Sequence, residues 1–189
     1  MHELTCCQPR VAIFDVLGEH PSPNVFSDLD DCLDYLEAMA RAPRFHCAYR
    51  PLAADLAGDL NDLAEAVFNR VGGCLLALEE VPWYSSASAQ PEGLDMLTRM
   101  GRHRRVDLVW TAQRLAEVSR RLTAATDVFV IFGMREPRDL AALEDRCGRD
   151  VALQVQRLGQ HERLVYDVIK GKAIVPSRAS TSRDGVADG

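Results

Sequence analysis

The 189 residues, 47% hydrophobic and 26% charged, have the balance of one soluble domain with a sizeable core and leave no room for a second full domain. No apolar run approaches the roughly 18 residues of a membrane helix, and the first ten residues lack the apolar stretch of a signal peptide, so a cytoplasmic chain with no membrane partner is expected. The net charge of −6 excludes a uniformly basic nucleic-acid binder.

That average hides an asymmetry. Residues 1–90 hold 14 acidic against five basic side chains, while residues 99–121 hold seven arginines against two acids, so a local basic stripe remains open. Lysine is confined to Lys170 and Lys172. The six cysteines, Cys6, Cys7, Cys32, Cys47, Cys74 and Cys147, show no paired C-x-x-C spacing. Four of them lie in apolar segments where Cys acts as a small hydrophobe, and neither a zinc site nor a disulfide framework is expected.

In chain order, residues 11–16 form a short apolar run closed by Gly18 and Pro21, which predicts a buried strand ending in a turn. A helix follows, capped by Asp28 or Asp30, with Leu29, Leu33, Leu36 and Met39 at helical spacing and Pro43 as the stop. A second strand is predicted over 45–49, then a helix over about 54–70 with Leu56, Leu60, Leu63 and Val67 inward. Gly72 and Gly73 break that helix before 74–78, a run too continuously apolar for a half-exposed strand and therefore central in a sheet covered on both faces. A Ser/Ala-rich loop over 82–90 leads to a helix over about 91–103, a strand over 107–111, a short helix near 116–122 and a strand over 128–132. Helices over 137–147 and 150–158 precede a hairpin of 163–169 with 173–175 that turns at Lys170-Gly171-Lys172. The expected architecture is a single α/β domain over 1–176, a three-layer, mostly parallel sheet with helices on both sides, followed by a disordered tail over 177–189.

Ligands of open α/β sheets sit outside the carboxyl ends of the strands. Three polar sets stand there: Asp15 with Glu19, Glu79 with Glu80, and Thr111 with Gln113. An apolar strand followed by two acids has the shape of a Walker B segment, in which one carboxylate holds Mg²⁺, directly or through water, and the second polarises an attacking water. A strand ending in Glu-Glu is equally how a solvated loop begins, so the surrounding order of segments decides the reading.

That order is LALEE at 76–80, a helix ending MGRHRR at 100–105, VDLVWTAQR at 106–114 and ATDVFVIF at 125–132, with VAIFDVLGEH at 11–20 upstream. Over roughly residues 4–148 the series resembles the FtsK/HerA group of P-loop ATPases, ring-forming motors that move DNA. The resemblance implies Glu80 as the catalytic glutamate and Glu79 as the Mg²⁺-associated acid, a departure from the usual Asp. It places Gln113 as the sensor of the γ-phosphate or attacking water, and Arg102, with Arg105 as substitute, as the arginine that reaches a neighbouring subunit's nucleotide. Asp15, Glu19 and Thr111 would lie near the nucleotide. ATP and Mg²⁺ are the ligands of complete members, a homo-oligomeric ring and DNA their partners.

One element of the group is missing from the sequence. No G-x-x-x-x-G-K-[ST] segment occurs, although that loop's backbone N–H groups and lysine are what cradle the phosphates. In the group its strand lies between the sensor strand and the one after it, so its loss would leave buried strand edges unpaired at about 1 to 3 kcal/mol per group. Two expectations follow: a chain truncated at its start and inactive as given, or strands closed up into a non-hydrolysing subunit that keeps the fold and assembles with an active homologue. The compact size matches a phage or mobile-element packaging ATPase. A filamentous-phage assembly ATPase of the zonula occludens toxin type would need a membrane helix.

Overall fold

A computed structural model describes residues 5, 7–52 and 55–174; the expected tail over 177–189 lies outside them. The chain divides into two compact units, Met1–Ala125 and Thr126–Gly189.

The first unit is built on five parallel strands, β1 (Arg10–Phe14), β2 (Asn24–Phe26), β3 (Phe45–Tyr49), β4 (Cys74–Leu78) and β5 (Val106–Trp110), in the order β2-β3-β1-β4-β5. β4 is buried at every residue and pairs with β1 and β5, as its unbroken apolar run requires of an interior parallel strand. Alternation along the strands sorts the core into two faces. Ala12, Phe14, Cys47, Tyr49, Leu76 and Leu78 join a large cluster on one face, and Val11, Ile13, Ala48, Leu75 and Ala77 form a smaller one on the other.

The helices α1 (Leu29–Ala38), α2 (Leu56–Ala66), α3 (Glu92–Met100) and α4 (Arg120–Ala124) send Leu36, Leu60, Leu63, Leu94, Leu97 and Leu122 into the large cluster. Each such leucine stabilises the fold by about 1.5 to 3 kcal/mol through removal of apolar surface from water. The Asp28 carboxylate accepts from the Asp31 N–H and the Asp55 carboxylate from the Gly58 N–H, which supplies the orphan donors at the starts of α1 and α2. Past Ala66 the chain widens into one π-helical turn, Val67–Val71, ended by Gly72 at φ +56° and Gly73 at φ +52°. A Cβ on Gly72 would lie 3.1 Å from the Arg104 carbonyl, so only glycine fits the turn without displacement.

Two strand assignments differ from expectation. β2 is only three residues long and carries no alternation to read, and it is fixed by Asn24, whose side chain donates to Tyr35 Oη and the His46 carbonyl. The strand at 128–132, expected as a further strand of the mostly parallel sheet, is β6 (Val128–Phe132) of a separate three-stranded antiparallel sheet in the second unit, β6-β7-β8. Its backbone groups are satisfied by β7 (Arg163–Asp167), which in turn pairs with β8 (Lys172–Ile174), the expected hairpin. The unit also holds α5 (Pro137–Cys147) and α6 (Arg149–Gln156), with Leu143, Val155 and Leu164 buried. Along β6 the outward residues Val128, Val130 and Phe132 stay 49%, 46% and 56% exposed.

Candidate active site

The carboxyl ends of β1, β3 and β4 converge on a buried group of charges. Phe14 and Leu78 are the last residues of neighbouring strands in register, so the acids that follow, Asp15 and Glu79, come side by side. The Asp15 side chain is fully buried and accepts from Arg50 Nε at 2.8 Å and from the backbone N–H groups of Glu19 at 3.1 Å and His20 at 3.3 Å. Arg50 Nη2 also donates to the His20 carbonyl at 2.8 Å, so one guanidinium ties the end of β3 to the loop after β1.

Glu79 is equally engaged. Its Oε1 lies 2.7 Å from His20 Nε2, its Oε2 accepts from the Leu17 N–H at 3.3 Å, and its carbonyl accepts from Tyr84 Oη at 2.9 Å. Burial and the hydrogen-bonded, negatively charged Asp15 push the Glu79 carboxyl up to about 7. Asp15 goes the other way: burial opposes its ionisation, but hydrogen bonds from the Glu79 carboxyl and from Arg50 outweigh it and hold Asp15 below the usual carboxylate range. The two neighbouring acids are thus shifted in opposite directions.

Glu80 stands apart from this network. The residue is only 7% exposed, but its carboxylate has no hydrogen-bond partner among the described residues and its oxygens are not sealed from water. Its backbone adopts the left-handed conformation, φ +45° and ψ +55°, at a cost of about 1 to 3 kcal/mol for a residue with a Cβ. Three contacts hold it there: the Glu80 N–H donates to Thr111 Oγ1 at 3.1 Å, the Val81 N–H to the Thr111 carbonyl at 3.0 Å, and the Trp83 N–H to the Glu80 carbonyl at 2.9 Å. Thr111, directly after β5, thereby aims the chain at Glu80.

The residues expected from the sequence fall into three groups. Asp15, Glu79, Glu80 and Thr111 are brought together at one end of the sheet. Glu19 contributes its backbone N–H, with its side chain exposed, and Gln113 is exposed beyond the same end of β5. Arg102 is elsewhere. It lies in the turn Gly101–Arg104 before β5, at the amino end of the strands, and the five residues of β5 put roughly 16 Å of strand between the two ends.

Sequence reasoning missed the roles of Arg50, His20 and Tyr84. Arg50 was legible, because it follows β3 directly and the strand-end rule that selected Asp15 and Glu79 selects it too. His20 stands within the quoted VAIFDVLGEH segment, but only the fold brings it onto Glu79.

No protein family's model matches the chain, and no curated protein matches its sequence. The fold nevertheless has solved counterparts: it is similar to the α/β fold of a viral genome packaging NTPase. The genome packaging NTPase B204 of Sulfolobus turreted icosahedral virus 2, in complex with ATP-gammaS, superimposes with a TM-score of 0.70 at 16% identity, over 93% of this chain and 84% of that one. The same protein in complex with AMP gives 0.69 at 17% identity over 89% and 82%. B204, the DNA-packaging ATPase of Sulfolobus turreted icosahedral virus, gives 0.67 at 16% over 89% and 82%.

Proposed function

We propose that this chain is the ATPase-type domain of a DNA-packaging or DNA-translocating motor, with Glu80 as the residue that polarises the attacking water. The observation that carries this reading is Glu80 at the carboxyl end of β4, its carboxylate free of internal partners among the described residues and open to water, held in a strained conformation by Thr111. A strained backbone at a strand's carboxyl end is where an enzyme stores a stability cost for function. The packaging-NTPase fold supports the same conclusion, and nucleotides in the B204 complexes support ATP as the substrate.

In this reading Glu80 accepts a proton from water, Thr111 fixes the direction of Glu80, and Gln113, exposed beyond the same strand, is the residue that meets the γ-phosphate. Glu79 does not fit a direct Mg²⁺ ligand in this arrangement. A carboxyl pushed up to about 7, with one oxygen on His20 and the other on a backbone N–H, is a poor competitor for a hard cation that favours charged oxygens. Glu79 instead holds the loop after β1 against the β4 end.

The test supplies the phosphate cradle that the sequence lacks. Fusing a strand, P-loop and helix from a packaging NTPase upstream of residue 8 should yield Mg²⁺-dependent ATP turnover, and Glu80→Gln should lower kcat by about 10² to 10⁴ while sparing ATP binding. Equal turnover in the variant removes Glu80 from the mechanism. A fusion that binds ATP and assembles with an active homologue without ever turning over supports the second reading, a non-hydrolysing subunit of such a motor.

A further inference from the structure

The opposite end of the same sheet carries a feature that the nucleotide chemistry does not use. A cavity of about 580 Å³ opens at the amino ends of β1, β4 and β5, and its lining includes Arg10, Arg41, His103, Arg104 and Arg105 against a single acid, Asp107. Arg44, immediately before β3, stands at the same end. The arginines are of two kinds. Arg10 and Arg104 are structural: Arg10 donates to the carbonyls of Ala40, Ala42, Val71 and Gly72 and stacks on Phe45, while Arg104 donates to those of Phe68 and Asn69. They cap the end of α1 and the π-helical turn and build the floor. Arg41, Arg44 and Arg105 are exposed and have no side-chain partner among the described residues, so their guanidiniums form a free rim.

We infer that this basic cavity is a binding site for the phosphodiester backbone of nucleic acid, with Arg41 and Arg105 as its principal phosphate contacts. Three features of the site select a phosphate strand over an acidic protein surface. Guanidiniums match phosphate oxygens with forked donors. The lining contains none of the exposed large hydrophobic side chains of the molecule, whereas a protein interface is organised around an apolar centre. Gly73 has no atom within 4 Å of the position its Cβ would take, so a backbone can approach that wall closely. DNA as the probe follows from the proposed function. The site itself stands on its own geometry, at the far end of the strands from Glu80, so its failure leaves the nucleotide reading intact.

The experiment measures binding of the 189-residue chain to a fluorescein-labelled 20-base-pair duplex by anisotropy, over a range of salt concentrations. In the double variant Arg41→Gln, Arg105→Asn, the Asn tolerates the left-handed φ of +55° at that position. It should bind about tenfold or more weakly, with a log–log salt slope reduced by about 2. A charge-matched double variant on α4, Arg120→Gln with Arg121→Gln, should keep the affinity and slope of the parent. Thermal melts of both variants confirm folding, since all four side chains are exposed. Equal losses in the two double variants, no loss in the first, or polyglutamate competing as well as DNA would each overturn the assignment.

Discussion

The two ends of the five-stranded sheet hold opposite charges in opposite ways. At the carboxyl end two acids are buried, and each is matched: Asp15 by Arg50 and two backbone donors, Glu79 by His20 and the Leu17 N–H. At the amino end Arg41, Arg44 and Arg105 are exposed and unmatched among the described residues. Burial explains the contrast, because a buried ion without a partner costs several kcal/mol whereas a solvated one costs nothing. Glu80 keeps to that rule as well, its carboxylate unmatched among the described residues but open to water. The carboxyl end is thus built for fixed positions and the amino end for an electrostatic field.

The largest expected effect tests whether the two ends of different copies work together. Arg102 sits too far from Glu80 along the sheet to serve its own chain's site, so as a guanidinium supplied in trans it should be worth about 10³ to 10⁵ in rate. In the fusion carrying a P-loop, Arg102→Ala should abolish turnover and retain ATP binding. Mixing that subunit with a Glu80→Gln subunit should recover partial activity, since some interfaces then pair an intact Glu80 with an intact Arg102. Mixed rings that form yet stay inactive would assign Arg102 a structural part.

How far the sequence disclosed these two ends depends on the kind of signal. β4 was legible because an unbroken apolar run admits little but an interior strand, and the acids after it followed from the strand-end rule. The pairing within the acids was not legible, since only the register of β1 against β4 puts Asp15 beside Glu79. The left-handed turn at Glu80 was also hidden, for a glutamate advertises no positive φ as glycine would. β2 escaped because three residues carry no period. The antiparallel partner of β6 escaped because 128–132 and 163–167 are each apolar enough to join either kind of sheet, and sequence patterns do not say which edges meet.

A smaller effect concerns the opposite shifts of Glu79 and Asp15. Glu79 has its folded value raised from 4.5 to about 7, so the fold favours the protonated acid. Its contribution is fully present below pH ~4.5 and is lost as pH rises through about 7. Asp15 is held below 3.8, so its contribution is present above that value and is lost on acidification. Urea unfolding of the 189-residue chain should therefore show stability falling by on the order of 1 to 3 kcal/mol between about pH 5 and pH 8. Glu79→Gln should flatten that fall, because the amide is permanently neutral and still donates to His20 Nε2. A variant with the parent's slope would show that Glu79 is ionised throughout and paired with a charged His20.

The smallest effect isolates the strain at Glu80 from its chemistry. Replacing Glu80 by glycine and, separately, by alanine removes the carboxylate in both cases, so the two variants differ only in whether a Cβ must occupy φ +45°. Glycine adopts this region without steric cost and alanine does not. Against that gain, glycine loses more chain entropy on folding, by about 0.4 to 1 kcal/mol. With the strain at about 1 to 3 kcal/mol, Glu80→Gly should be more stable than Glu80→Ala by about 1 kcal/mol, a difference of roughly 2 to 4 °C in Tm for a chain of this size. Alanine matching or exceeding glycine would mean that the turn relaxes once the carboxylate is gone, and that the conformation is imposed by Glu80 itself and not by Thr111.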